Sequence, residues 1–261
     1  MREPVLEVVV TSVEEAVAAV AGGANRLEVA TDMAADGMTP DLADFRRVRD
    51  SVSVPLRVML RDHGGFRAAD PDRLREAASA LRAAGADAFV LGFLTPGGTL
   101  DLPAVTSVLS AVPGCRWTFH RAMDHAADRA AVRRALRGLP GLDTVLTAGS
   151  VTGVADGLDV LLSESAVLDP DGPGTGTGTG TGVCVMAGGG LLPRHVPALR
   201  AHGVDAFHVG TSVRHGGWGT PVDPAAVSRW RRLVESAAVE PGVLEPPVPE
   251  SPGEESRPRV R

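Results

Sequence analysis

The chain has 261 residues, 44% of them hydrophobic, and a net charge of −6. That length suits one barrel-sized domain of roughly 250 residues or two small domains, and the acidic balance argues against a nucleic-acid partner, which asks for a basic face. All 26 basic residues are arginine; without a lysine amine, Schiff-base aldolase chemistry and a pyridoxal-phosphate linkage are excluded, and without tyrosine there is no phenolic acid or base.

In chain order, Met1-Arg2-Glu3-Pro4 leads directly into a strand over 5–10, so no signal peptide is expected. A helix opens at Ser12, with Glu15 three residues on as a capping box. Strands follow at 26–29, 56–60, 88–91, 116–120, 144–147, 183–186 and 206–209. Helices are expected from Asp41, over 72–84, 102–111, 128–138 and 153–164, from Pro193, and over 224–237. Four times a Gly-x-Asp/Asn turn precedes an apolar strand, at Gly23, Gly85, Gly141 and Gly203, spaced 62, 56 and 62 residues apart. Each follows an Ala/Leu/Arg-rich stretch and reads as a helix C-terminal cap. The period is two βα units, so the four copies predict an α/β fold, a TIM (β/α)8 barrel in a single domain over 1–237. The Gly/Thr repeat within 169–182 reads as a low-complexity loop, and 238–261 as a disordered Pro/Glu-rich tail. No apolar run reaches the roughly 20 residues needed to cross a membrane. Cys115 and Cys184 give no disulfide framework, and a cytoplasmic protein is expected.

Parallel barrel strands are nearly all apolar, so charges within them need a reason. Glu7 and Glu28 each sit in a Leu-Glu-Val triplet. Arg57, Met59 and Arg61 share one face of the third strand, and Arg116, Thr118 and His120 one face of the fifth. Ala206, His208 and Gly210 do the same at the eighth. Facing inward, these would place carboxylates, guanidiniums and imidazoles at the barrel mouth, an acid/base and anion-binding set; a purely structural ion-pair plug is the alternative. Glu7, Glu28, His120, Asp124 and His208 are the catalytic candidates, with His120 as general base or metal ligand and Asp124 as its orienter. Arg61, Gly188, Gly189, Gly190, Thr211 and Ser212 are the anion-binding candidates, because barrels often hold phosphate with the loops after strands 7 and 8. His120, His208 and Met59 are the candidate metal ligands, although no spacing demands a metal.

Leu6-Glu7-Val8, Ala21 to Glu28, Gly37-Met38-Thr39-Pro40, Val58 to Arg61, Gly92 to Thr99, Thr118 to Asp124, Val145-Leu146-Thr147, Gly188 to Gly190 and Phe207-His208 resemble, in order, the copper homeostasis protein CutC family. The resemblance implies a cytoplasmic (β/α)8 barrel, oligomeric in the usual view and linked to copper handling. Family members commonly carry cysteines, proposed as Cu(I) ligands, where this chain has Val9 and Ala30. Copper is therefore expected by resemblance only. The polar residues at matching positions favour a small phosphorylated or carboxylated molecule as partner, with a homo-oligomer also in keeping with the family.

Overall fold

The computed structural model describes residues 3–168 and 182–236. The tail from 238, and the Gly/Thr repeat apart from Gly182, lie outside them. Eight parallel strands close into a barrel in sequential order, β1 pairing with β8. They are β1 Val5–Val10, β2 Arg26–Val29, β3 Leu56–Met59, β4 Ala88–Leu91, β5 Arg116–Phe119, β6 Leu142–Thr147, β7 Cys184–Gly188 and β8 Ala206–Val209. The helices are α1 Val13–Ala21, α2 Leu42–Ser51, α3 Pro71–Ala83, α4 Leu102–Leu109, α5 Arg129–Leu136, α6 Val154–Leu168, α7 Val196–Ala201 and α8 Pro224–Ser236. The TIM-barrel expectation is met.

The turn glycines behave as the period requires. Gly23, Gly85, Gly141 and Gly203 all have φ between 79° and 100°, the left-handed region that a residue with a β-carbon rarely enters. Gly23, Gly85 and Gly203 reverse the chain directly after α1, α3 and α7; after α5 that place is taken by Gly138, and Gly141, expected as a helix cap, instead stands immediately before β6.

Alternation along the strands sorts the side chains. Leu6, Val8 and Val10 of β1 join Leu27, Phe89, Trp117 and Phe207 in the main core between sheet and helices. The intervening positions point into the barrel. There Val9, Ala30, Met59 and Val90 form one small apolar cluster, and Leu146, Met186 and Ala206 another. Polar residues fill the rest of the lumen.

Differences from the expected elements are local. β6 begins at Leu142, two residues early, and β7 runs on to Gly188. The helix expected from Pro193 splits into a 3-10 turn, Pro193–His195, and α7, because Pro193 and Pro197 both stand at helix-start positions. No helix among the described residues is long and apolar enough to cross a membrane.

Candidate functional site

A cavity of about 410 Å³ opens at the C-terminal ends of the strands, where barrels of this class carry their chemistry. Of the sequence candidates, Glu28, Met59, Arg61, His120, His208, Gly189, Gly190, Thr211 and Ser212 line it. Glu7 lies just beneath. One ligand atom from each of Glu7, Glu28 and His208 falls within 4.8 Å of the other two.

Glu7 is completely buried and fully engaged. Its Oε1 lies 2.7 Å from His208 Nδ1, and its Oε2 accepts from Arg26 Nε at 2.5 Å. Burial pushes its carboxyl up, but Arg26 and the His208 hydrogen bond outweigh that and hold it at about 2. His208 responds in the opposite sense. Burial disfavours its charge, yet the Glu7 hydrogen bond and the charges of Glu28 and Glu7 raise it above the usual histidine value.

Glu28 has no such support. It is 3% exposed, and its Oε2 is buried without a hydrogen-bond partner. Burial, reinforced by the charge of Glu7 and opposed by His208, lifts its carboxyl to about 7. Two neighbouring carboxyls thus divide into a fixed anion and a group that gains and loses a proton near neutrality.

His120 caps the 3-10 turn Arg121–His125. Its Nδ1 accepts from the Ala122 N–H at 3.2 Å, so in the neutral ring the proton sits on Nε2. Burial, then the Arg61 charge, lowers its pKa to about 3. The ring stays neutral, with Nε2 buried and without a partner. Gly92 makes room for it: a β-carbon there would stand 2.6 Å from Nδ1. Phe66 meets the ring edge-on at 5.6 Å.

Several expectations are corrected. His120 does not suit a general base, because its one lone pair is already taken by Ala122; it is a neutral donor. Asp124 does not orient it. Asp124 is buried and accepts from Arg121 Nε, Arg129 Nη1, Thr147 Oγ1 and the N–H groups of Ala148 and Gly149, tying the turn after β5 to the end of β6. Arg61 is first a clamp. Its nitrogens donate to the carbonyls of Asp36, His63 and Gly65, bracing the loops after β2 and β3. Gly188 belongs to β7, where a β-carbon would stand 2.8 Å from His208 Cβ. Arg57 and Arg116 lie toward the opposite end of the barrel with Asp143, 2.7 and 4.0 Å away.

Several lining residues were not among the sequence candidates, among them Asp36, Phe66, His125, Arg121 and Trp218. Arg121 lines the cavity beside Gly189, held by Asp124 and by the Ser150 and Val151 carbonyls. Trp218, 39% exposed, closes one side over Gly210 and Arg214. A tryptophan set among Gly216, Gly217 and Gly219 was the available signal.

For copper, the donor set decides. Val9 and Ala30 offer no thiolate, and the soft donors beside them are the thioethers of Met59 and Met33. Glu7, Glu28 and His208 are harder donors, and both Glu7 oxygens are engaged. These residues do not fit a thiolate Cu(I) centre.

The model of the CutC family matches residues 4–213. A family protein CutC of Xanthomonas campestris pv. campestris is 34% identical over 207 residues, covering 78% of this chain and 81% of that protein. The human copper homeostasis protein cutC homolog is 32% identical over 209 residues, covering 78% of this chain and 71% of that protein. A crystal structure of CutC from Streptococcus agalactiae superposes with a TM-score of 0.69 at 21% identity, covering 80% of this chain and 98% of that one, a likeness in fold.

Proposed function

The chain belongs to the CutC family, and from that premise we propose that its cavity binds a small phosphorylated or carboxylated metabolite and exchanges a proton with it. One observation carries the reading. Two polar atoms, Glu28 Oε2 and His120 Nε2, are buried without partners on side chains that line the same cavity. Leaving such an atom unpaired costs about 1–3 kcal/mol, and a ligand that reaches both recovers it. Arg121 and Arg61 supply positive charge at the rim, and the Gly189–Gly190 and Thr211–Ser212 segments flank it. The volume suits a small metabolite. A cytoplasmic setting accords with two cysteines, Cys115 and Cys184, that are not joined in a disulfide.

The copper-homeostasis label of the human relative supports a second reading, a role for this chain in copper handling. Met33 and Met59, packed beside Val9 and Ala30, are its supporting observation.

Calorimetric titration with sugar phosphates and short keto acids tests the first reading. Cu(I) titration against a competing chelator tests the second. Saturable metabolite binding that weakens in Glu28→Ala supports the first; if copper alone binds, that reading fails.

A further inference from the structure

Resting on the metabolite-site reading, we infer that the reaction is proton transfer at a carbon next to a carbonyl group, with Glu28 as the base and His120 Nε2–H as hydrogen-bond donor to the carbonyl oxygen. The substrate class is an α-hydroxycarbonyl or α-keto compound carrying a phosphate or carboxylate.

The geometry points there because the two unpartnered groups are of complementary kinds. Abstracting a proton next to a carbonyl needs an acceptor for the proton and a donor for the oxygen, which gains negative charge. Glu28 presents a carboxyl oxygen with no hydrogen bond, and His120 presents an N–H with none. Both rise from strand ends, β2 and β5, into one cavity. The surroundings hold each group in its role. The Ala122 N–H fixes the His120 tautomer with its proton on Nε2. Arg61, braced on three loop carbonyls, keeps positive charge near the ring and so disfavours imidazolium. Val9, Met59 and Leu146 supply apolar patches within a cavity whose lining is otherwise largely polar. A carboxylate base paired with a neutral imidazole electrophile is an established solution for enolisation.

The step balances without another reactant. The C–H bond breaks and its proton goes to Glu28. The electron pair forms the C=C bond while the carbonyl π pair moves to oxygen, giving an enolate that His120 hydrogen-bonds. Return of a proton from Glu28 to the same carbon regenerates the substrate with solvent hydrogen exchanged into it, and return to the neighbouring carbon isomerises the substrate after a proton moves between the two oxygens. Nothing is oxidised or reduced overall, and no metal or organic cofactor is required.

The full chain would be incubated in D2O with dihydroxyacetone phosphate, pentose phosphates, hydroxypyruvate and oxaloacetate, following α-hydrogen loss by proton NMR and measuring binding of each compound by calorimetry. The expected result is exchange into at least one bound compound above the solvent rate. Glu28→Gln should slow it by at least about 100-fold, and His120→Ala by at least about tenfold. His120→Gln, which restores an N–H donor, should recover part of that loss. Circular dichroism confirms that each variant is folded. Binding without exchange, or exchange that survives Glu28→Gln, overturns this inference and leaves the binding reading intact. If no compound binds or exchanges, both are overturned.

Discussion

Glu7 and Glu28 face the same small space, with ligand atoms within 4.8 Å, yet their environments drive their proton affinities apart. Glu7 answers to Arg26 and His208 and ionises at about 2; Glu28, buried without a hydrogen bond to Oε2, ionises at about 7. The difference lies in who reaches each carboxyl, not in depth, since both are buried.

Glu28 should therefore lower stability in a pH-dependent way. Its folded pKa is raised, so below about pH 4.5 both folded and unfolded states hold the proton and there is no cost. As pH rises, the unfolded chain ionises freely while the folded one does not. Glu28→Gln should match the parent at pH 4 and gain about 3 kcal/mol by pH 8, the energy of a shift from 4.5 to about 7. Urea melts at the two pH values measure it. An equal effect at both would place Glu28 in water.

Glu7 should show the reverse. Its folded pKa is depressed, so its stabilisation is present above about pH 4.5 and fades as pH falls toward 2. Glu7→Gln leaves Arg26 without its carboxylate. The loss expected for breaking a buried pair is about 3–5 kcal/mol at pH 7. Denaturant midpoints from pH 7 down to pH 2 should converge for the two proteins.

Asp124 provides a test of a different kind. Its oxygens take hydrogen bonds from two arginines, Thr147 and two backbone N–H groups, none from His120. Asp124→Asn should cost about 3 kcal/mol or more, because it weakens several charge-assisted bonds at once. The Nε2–H tautomer of His120 should persist, since Ala122 sets it. Nitrogen-15 NMR of the imidazole reads the tautomer; a switch to Nδ1–H would restore Asp124 as the orienting residue.

The barrel was legible because its signals are local and periodic. Gly23, Gly85, Gly141 and Gly203 sit where the chain must turn with positive φ, and charged residues in otherwise apolar strands marked the lumen. Glu28, Arg61, His120 and His208 do line one cavity. The level at which each charge sits was not legible. Arg57 and Arg61 share a face of one strand, yet four residues of extended chain, about 13 Å, separate Arg57, paired with Asp143 toward the far end, from Arg61 at the mouth. Nor could the pattern Thr118 to Asp124 show that the turn bends Asp124 toward Ala148 while an N–H of the same turn occupies His120. Those outcomes depend on backbone geometry three to five residues away, which residue types alone do not encode.

The lost thiols make copper a matter of engineering. Val9 and Ala30 pack in one interior cluster with Met59 and Met33, and both are buried. Thiolates at these positions, beside two thioethers, would form a soft donor set. The double variant Val9→Cys with Ala30→Cys should bind Cu(I) at least about 100-fold more tightly than the parent, roughly 2.7 kcal/mol. Competition with a Cu(I) chelator under anaerobic reduction measures this. Equal affinities would mean that the thioethers already bind the ion, favouring the copper reading of the native chain.

Trp218 should report on the ligand directly. Trp117 and Trp230 are buried, so the solvent-exposed part of the tryptophan emission belongs to Trp218. Its ring stacks on the Arg214 guanidinium at 4.4 Å, and Arg214 is in turn fixed by Glu15 and by the Val9 and Gly210 carbonyls. The ring edge lies over Gly210, where a β-carbon would come within 2.6 Å. A ligand entering the cavity covers the ring, so emission should shift to shorter wavelength in a saturable way. Trp218→Ala should weaken binding about three- to tenfold, the range for loss of one aromatic contact. Gly210→Ala should do the same by pushing the ring aside, without touching any group that transfers a proton. Tight binding that leaves both the emission and the Gly210→Ala affinity unchanged would place the ligand away from this wall of the cavity.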